Sequence, residues 1–590
     1  MAFSYLKKLA SLICFIGFLQ NTLYSQTITG QLKQYHKTTL TFEGLNLSEK
    51  PATYLDYRMN VTFTSPSSAV YIIPGYFAAD GHAAETSATS GNKWRCHFTP
   101  NEIGTWNYSV SFRSGINVAV STNPLDGKAT SIDGNSGMFE IIATDIKDND
   151  FRAKGKLQYV GKDFAQFDNG DYYFEIGADS PETFLEYDDF DATPSRHDYE
   201  EVANNYSNGD PSWQNGKGTE IIGAVNYLAN QGLNIHYFLT MNITGDGDRA
   251  YPFPNKTDYT TYDVSKLDQW QIVFDHMYNK GMAQELVLTE TENSNWFEDQ
   301  EGISRQTFSN SRKLYYREMI ARFGYLNIIY NLGEEANWDS GGDEYEATHI
   351  EEAANYIKSL SPYNDLISVH NGPSKDFSIF PELTALPGKS ALTTISLQAN
   401  FQTITHGHNE LLNVKNLSTK NNKEWVVRYS EPYSSKLPNI ETWTNNSLWA
   451  SITAGSAGIH YYSHNGDIKT DDYRLHEKYY ERMRYAKAFL ENNNIPFQNL
   501  ESNNAAVSSG YLLTDFKDHY IIFLPNGGST AIDILSSGNF DLKWFDPRHG
   551  GALKNGNITK VSNGIGVAIG EAPNSITSSW VVLLKRIKTE

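Results

Sequence analysis

Asn327-Ile328-Ile329-Tyr330-Asn331-Leu332-Gly333-Glu334-Glu335 is a short apolar run that stops on a glycine and two carboxylates. Its length and its β-branched and aromatic content read as a strand buried on both faces. Seven more runs of the same kind follow or precede it: 172–178, 234–241, 285–289, 366–370, 394–397, 425–429 and 458–462. Amphipathic helical patterns fall between them, at 218–230, 264–280, 309–323 and 349–360. Eight strands alternating with helices from 150 to 495 predict a (β/α)8 TIM barrel. An open doubly wound sheet would carry a glycine-rich phosphate loop after its first strand. Here that position reads Asp179-Ser180-Pro181-Glu182, which cannot cradle phosphate.

The flanks have a different rhythm. Residues 26–145 alternate polar and apolar in short runs about ten residues apart, with turn residues between them, and predict an immunoglobulin-like β-sandwich. Residues 500–590 return to strands, with Asn526-Gly527-Gly528 as a turn signal, and predict a second β-sandwich. The expected layout is thus multidomain, a central barrel flanked by N-terminal and C-terminal sandwiches. Residues 1–25 read as a signal peptide: Lys7 and Lys8 precede an apolar stretch too short to span a bilayer. A secreted or periplasmic protein is expected, without a membrane span. Cys96 is then the sole mature cysteine, so no internal disulfide and no paired-cysteine zinc site can form. The 69 acidic against 48 basic side chains give a net charge of −21, which argues against a nucleic acid partner.

In a barrel the chemistry gathers where the strands end. In order along the chain, those ends carry Asp179 and Glu182; Asn242, Asp246 and Asp248; Glu290, Glu292 and Asn293; Glu334, Glu335 and Asn337; His370 and Asn371; Gln398; Glu431 and Tyr433; and His460, Tyr462 and His464. Hydrolysis of a glycosidic bond needs two carboxyls, one to protonate the leaving oxygen and one to attack the anomeric carbon or activate water. The fourth and seventh strands both terminate in Glu. Glu335 is expected as acid/base and Glu431 as nucleophile, with Glu334, Glu290 and Glu292 as alternatives. The remaining rim residues, with His406 and His408 in a loop and Trp296 and Trp338 as stacking platforms, are expected to bind sugar. The Gly245-Asp246-Gly247-Asp248 stretch lacks the full ligand spacing of a calcium loop. The histidine spacing is a weak zinc signal, so neither metal nor cofactor is expected.

The motifs together resemble a group of bacterial proteins assigned as glycoside hydrolases. The matching stretches are Trp94 to Pro100 and Glu102 to Trp106, Gly223 to Leu228, Met241-Asn242 with Gly245-Asp246-Gly247, Thr289 to Asn293, Asn331 to Glu335, Ala454 to Gly458, and Trp544 to Arg548. The resemblance implies an N-terminal immunoglobulin-like domain of unassigned function, a barrel like that of the large retaining clan, and a C-terminal β-domain labelled collagen-binding. That clan has Asn directly before the acid/base Glu, whereas this chain has Glu334. The group implies a polysaccharide or oligosaccharide substrate. A red-algal galactan such as carrageenan, agar or porphyran leads, with ulvan or a plant cell-wall glycan as alternatives. Sulfate recognition would fall to Arg249, Arg428 and the loop histidines. Two readings from other classes stay open: a non-catalytic carbohydrate-binding barrel, and a polysaccharide lyase. The sequence leaves the oligomeric state open.

Overall fold

The computed structural model describes residues 26–336, 347–372, 384, 386, 388–399, 403–432, 439–462, 470–574 and 577–588. Its centre is one parallel sheet of eight strands: β1 (Glu175–Ala178), β2 (Ile235–Leu239), β3 (Ala283–Val287), β4 (Ile328–Asn331), β5 (Leu366–Ser368), β6 (Thr394–Gln398), β7 (Val426–Glu431) and β8 (Gly458–Tyr461). The strand order is β5-β4-β3-β2-β1-β8-β7-β6. The ring closes between its two ends. Thr393 N–H donates to Ile367 O at 3.0 Å, Ser396 N–H donates to Val369 O at 3.1 Å, and His370 bridges Ser396 in parallel. All eight expected strands are present, each within a few residues of its expected bounds. The fold is a TIM-like barrel with antiparallel sheets on both sides of it in sequence.

The crossover helices start where their capping residues dictate. Asp263 accepts from Lys266 N–H ahead of Val264–Asn279, and Ser309 from Arg312 N–H ahead of Asn310–Phe323. Thr403 does the same for His406 N–H ahead of Ile404–Lys420. Each cap satisfies a donor that the first helical turn leaves without a partner.

Before the barrel, a four-stranded and a five-stranded antiparallel sheet face each other across Leu40, Phe42, Met59, Val61, Phe63, Trp94, Phe98, Trp106 and Phe112. Cys96 lies fully buried among them, and burial pushes its thiol far above the ordinary range. It is a core residue, as expected. These sheets are fastened to the barrel helix Asn310–Phe323: Arg317 donates to Met59 O at 2.7 Å and Arg322 to Phe77 O at 3.0 Å.

After the barrel comes a single six-stranded antiparallel sheet. Its strands alternate strictly. Leu512, Tyr520, Ile522, Leu524, Val582 and Leu584 face the sheet's own core. Their sequence neighbours Leu513, Ile521, Phe523, Val581 and Leu583 face the barrel and join its core. Trp449, on a π-helical turn at Thr444–Trp449, fills that contact and stacks on Phe523 at 5.8 Å. Among the described residues no helix is long and apolar enough to cross a membrane.

Candidate active site

The barrel interior is polar at its floor. Arg428 on β7 is fully buried and pairs with Glu175 of β1 at 3.0 Å and Glu285 of β3 at 2.7 Å. Asn331 of β4 donates to Glu285 at 3.0 Å, and His460 of β8 lies 3.5 Å from Glu175. Burial raises the Glu175 carboxyl to about 7, against the pull of Arg428. Two rim expectations are corrected here. Arg428 and His460 point inward along their strands and sit below the mouth, so neither can meet a sulfate or a sugar there.

The mouth is built around Gln398. Between Leu397 and Gln398 the β6–β7 register slips, which sets Gln398 opposite Glu431. Asn371, just past β5, grips its backbone on both sides: it donates to Gln398 O at 2.8 Å and accepts from Gln398 N–H at 2.9 Å. So held, the Gln398 amide nitrogen donates to Glu335 Oε1 at 3.1 Å and also, closely, to Glu431 Oε2. Asn371 therefore positions Gln398, and its amide is spent doing so.

Glu335 has a backbone to match. Its φ is +48°, left-handed and costly for a non-glycine residue. The turn that carries it is held from both neighbouring strand ends. Glu334 N–H donates to Thr289 O at 3.0 Å, Thr291 Oγ1 donates to Glu335 O at 2.9 Å, and Ala336 N–H donates to His370 O at 2.9 Å. Burial raises the Glu335 carboxyl above the usual range, and Glu292 and Asp246 add to the rise. Burial and the nearby Glu335 raise Glu431.

Glu334 lies beneath them, 4% exposed, and its Oε2 has no hydrogen-bond partner among the described residues. Burial holds its carboxyl protonated, reinforced by Glu182, Glu431, Glu290 and Asp179. Asp179 and Glu182 are buried in the same crowd and raised for the same reason. His370 is neutral, lowered to about 3 by burial and by Arg428. Its Nδ1 is 3.3 Å from the Tyr237 hydroxyl and its Nε2 is 3.8 Å from Glu431. Ligand atoms of Glu334, His370 and Glu431 lie within 4.8 Å of one another, a spacing that could also hold a cation. A proton on Glu334 relieves the same crowding without one. Tyr462 lies over this group, its hydroxyl raised by burial and by Glu182 and Glu431.

Glu290 is enclosed by its own loop. It accepts from Asn293 Nδ2 at 3.0 Å and from Asp246 N–H at 3.0 Å. A Cβ on Gly245 would stand 1.9 Å from its Oε1, so any larger residue here would force the Glu290 carboxyl to shift. Asn242 donates to Glu186 at 2.8 Å and to Asp246 O, and accepts from Ala250 N–H at 2.8 Å. Asn242 and Asn293 were expected to bind sugar, but their amides are consumed in shaping the loops. Asp248 pairs with Lys256 on the same loop. Glu292 is exposed beside it.

Two further expectations are corrected. Trp296 is no platform; it is 8% exposed and stacks on Phe253 at 5.7 Å. His406 and His408 lie on a helix, not in a loop. His408 is buried against the C-terminal sheet, 2.9 Å from Asn504 and 3.2 Å from Ser502. His406 is exposed in the first helical turn. Asn337, Trp338, Tyr433 and His464 lie outside the described residues, as does the expected signal segment. Tyr237 was not anticipated. Its signal was parity: on a strand whose inward positions alternate, Tyr237 and Leu239 share one face, and those two side chains pack together with Val287 inside the barrel.

Residues 31–113 match a family model described as a domain of unknown function, DUF5060. No curated protein matches the chain in sequence. Among solved structures, a provisionally assigned glycoside hydrolase of Bacteroides vulgatus is 13% identical and superposes with a TM-score of 0.65, over 94% of this chain and 99% of that one. A family 5 glycoside hydrolase of the same organism is 16% identical with a TM-score of 0.53, over 73% of this chain and 93% of that one. At these identities the likeness is one of fold: a TIM-like barrel with flanking antiparallel sheets, of a kind found in glycoside hydrolases.

Proposed function

We propose that the chain is a retaining glycoside hydrolase with Glu335 as acid/base and Glu431 as nucleophile. One observation carries the reading: a single amide donor, Gln398 Nε2, joins the two carboxylates at the mouth of the barrel. Two acceptors on one donor lie within about two hydrogen-bond lengths, ~6 Å, of each other. That suits direct attack on the sugar, whereas an inverting pair stands ~6.5–9.5 Å apart to admit water.

The steps follow from the charges. Glu334, protonated beside Glu431, donates to it, and Gln398 donates from the other side. These two hydrogen bonds favour the Glu431 carboxylate against the burial and the Glu335 charge that raise it, and the nucleophile acts in that ionised form. Its oxygen attacks the anomeric carbon as the C1–O bond to the leaving sugar breaks. The leaving oxygen takes the Glu335 proton, which burial has retained. Water then attacks the glycosyl ester, giving its proton back to Glu335 and releasing Glu431. The substrate class is a polysaccharide or its oligosaccharides. Within it, the red-algal galactans suggested by the resemblance come first, and ulvan or a plant glycan second. Export by residues 1–25 would bring the enzyme to such a polymer.

The test is product release from algal and plant polysaccharides by wild type, Glu335→Gln and Glu431→Gln, with the product anomer followed by NMR. Both variants should lose at least ~10³-fold in rate, and the first-formed anomer should be that of the substrate. Activity surviving in either variant would mean that the carboxylate pair is misassigned. An unsaturated product absorbing in the ultraviolet would mean a lyase.

A further inference from the structure

We infer that the mouth of the barrel accepts an uncharged sugar through its free hydroxyls and turns away sulfated and uronic residues. This rests on the mouth being the sugar site proposed above, and it sharpens the substrate class.

The lining is one-sided in kind, rich in carboxyls whose protons burial retains. Asp179, Glu182, Glu290, Glu334, Glu335 and Glu431 bring six carboxyls to it from four strand ends. Among the described residues, the cations near the mouth are already engaged. Arg428 is sealed beneath by Glu175 and Glu285. Arg196 is bound to Glu186 and Gly247 O, Arg249 to Ser195 O, and Lys256 to Asp248. Among the described residues no unpaired cation faces this carboxyl cluster, so an anion entering here would meet the nucleophile's carboxylate across a poorly screened gap.

A second observation points to what does fit. The carbonyl oxygen of the Asp179 carboxyl, Glu334 Oε2 and Gln398 Oε1 are buried acceptors with no hydrogen-bond partner among the described residues. Their residues are 0%, 4% and 3% exposed. Buried acceptors call for donors. Sugar hydroxyls are donors, whereas sulfate and carboxylate groups offer only more acceptors. A site for sulfated galactan would show the reverse, guanidinium or ammonium groups facing the cavity. Among the expected galactans, this favours the unsulfated agar type over carrageenan and porphyran.

The experiment uses the full chain and matched pairs: carrageenan oligosaccharides before and after chemical desulfation, and neutral agar and plant oligosaccharides beside uronic ones. Cleavage is measured with wild type and binding by calorimetry with Glu335→Gln. The anionic member of each pair should be at least ~100-fold poorer in kcat/KM and in affinity at low ionic strength. Added salt should narrow the gap, because screening weakens the repulsion. Equal handling of both members, within about threefold, overturns the inference, and so does failure to bind any neutral sugar. A neutral sugar that binds but is not cleaved counts against the hydrolase reading alone, since selectivity in binding still decides this one.

Discussion

Glu334 shows how one proton can set the character of a site. A carboxylate at that position would face Glu431 as a second negative charge, whereas a carboxylic acid is a donor to it. The neutral form is the one burial selects. Glu334→Gln keeps a donor of similar shape and should leave kcat/KM within about tenfold of wild type. Glu334→Ala removes the donor to a charged group, worth ~1.5–3 kcal/mol, and should lower kcat about 10–100-fold with little change in KM. If the Gln variant is as dead as the Ala variant, the Glu334 proton is used in the chemistry and the acid role passes from Glu335 to Glu334. The sequence made the two neighbours legible as candidates. It could not choose between them, because the choice depends on a left-handed turn at Glu335 that ties to strands β3 and β5 stabilise.

At the scale of elements, the strands were readable because burial on both faces leaves near-continuous apolar runs, and the helices because their caps and periodicity agree. Register was not readable. The slip that sets Gln398 opposite Glu431 arises from pairing between strands some thirty residues apart, and no local pattern encodes it. Side-chain fate at loop residues was equally hidden: Asn242 and Asn293 look like sugar ligands in the sequence and prove to be loop clamps, while His408 belongs to a helix packed on another sheet. The glycine-aspartate loop after β2 offers a direct check. In Gly245→Ala the new methyl would collide with the buried Glu290 carboxyl, and overpacking of this kind costs about 1–3 kcal/mol. A lower unfolding midpoint in denaturant is expected, with reduced activity as the loop lifts from the mouth. An unchanged midpoint would mean that the loop does not press on Glu290.

Across the whole molecule, the same buried acids set the pH range of stability. Asp179, Glu182, Glu290 and Glu334 are all raised by burial, and Glu49 and Glu175 are raised to about 7. An acid whose folded-state pKa lies above its unfolded value binds its proton more tightly when folded. Its stabilising contribution is complete below about pH 4, the ordinary carboxyl range, and is lost as pH rises through the folded value. Asp515 has the opposite sign. His519 and backbone donors outweigh its burial and hold it far below the ordinary carboxyl range, so its contribution is lost only in strong acid. Asp546, held low by His549 and Arg548 despite burial, behaves likewise. The two sets bracket a maximum on the acid side of neutrality. Thermal unfolding at constant ionic strength should therefore give its highest Tm near pH 5, with a steady fall towards pH 8. The double variant Glu182→Gln/Glu334→Gln removes two of the protons that the folded state retains, and its Tm should fall less steeply over that range. A wild-type Tm that climbs from pH 5 to pH 8 would falsify the protonated cluster, and with it the account of Glu334 as a donor to Glu431.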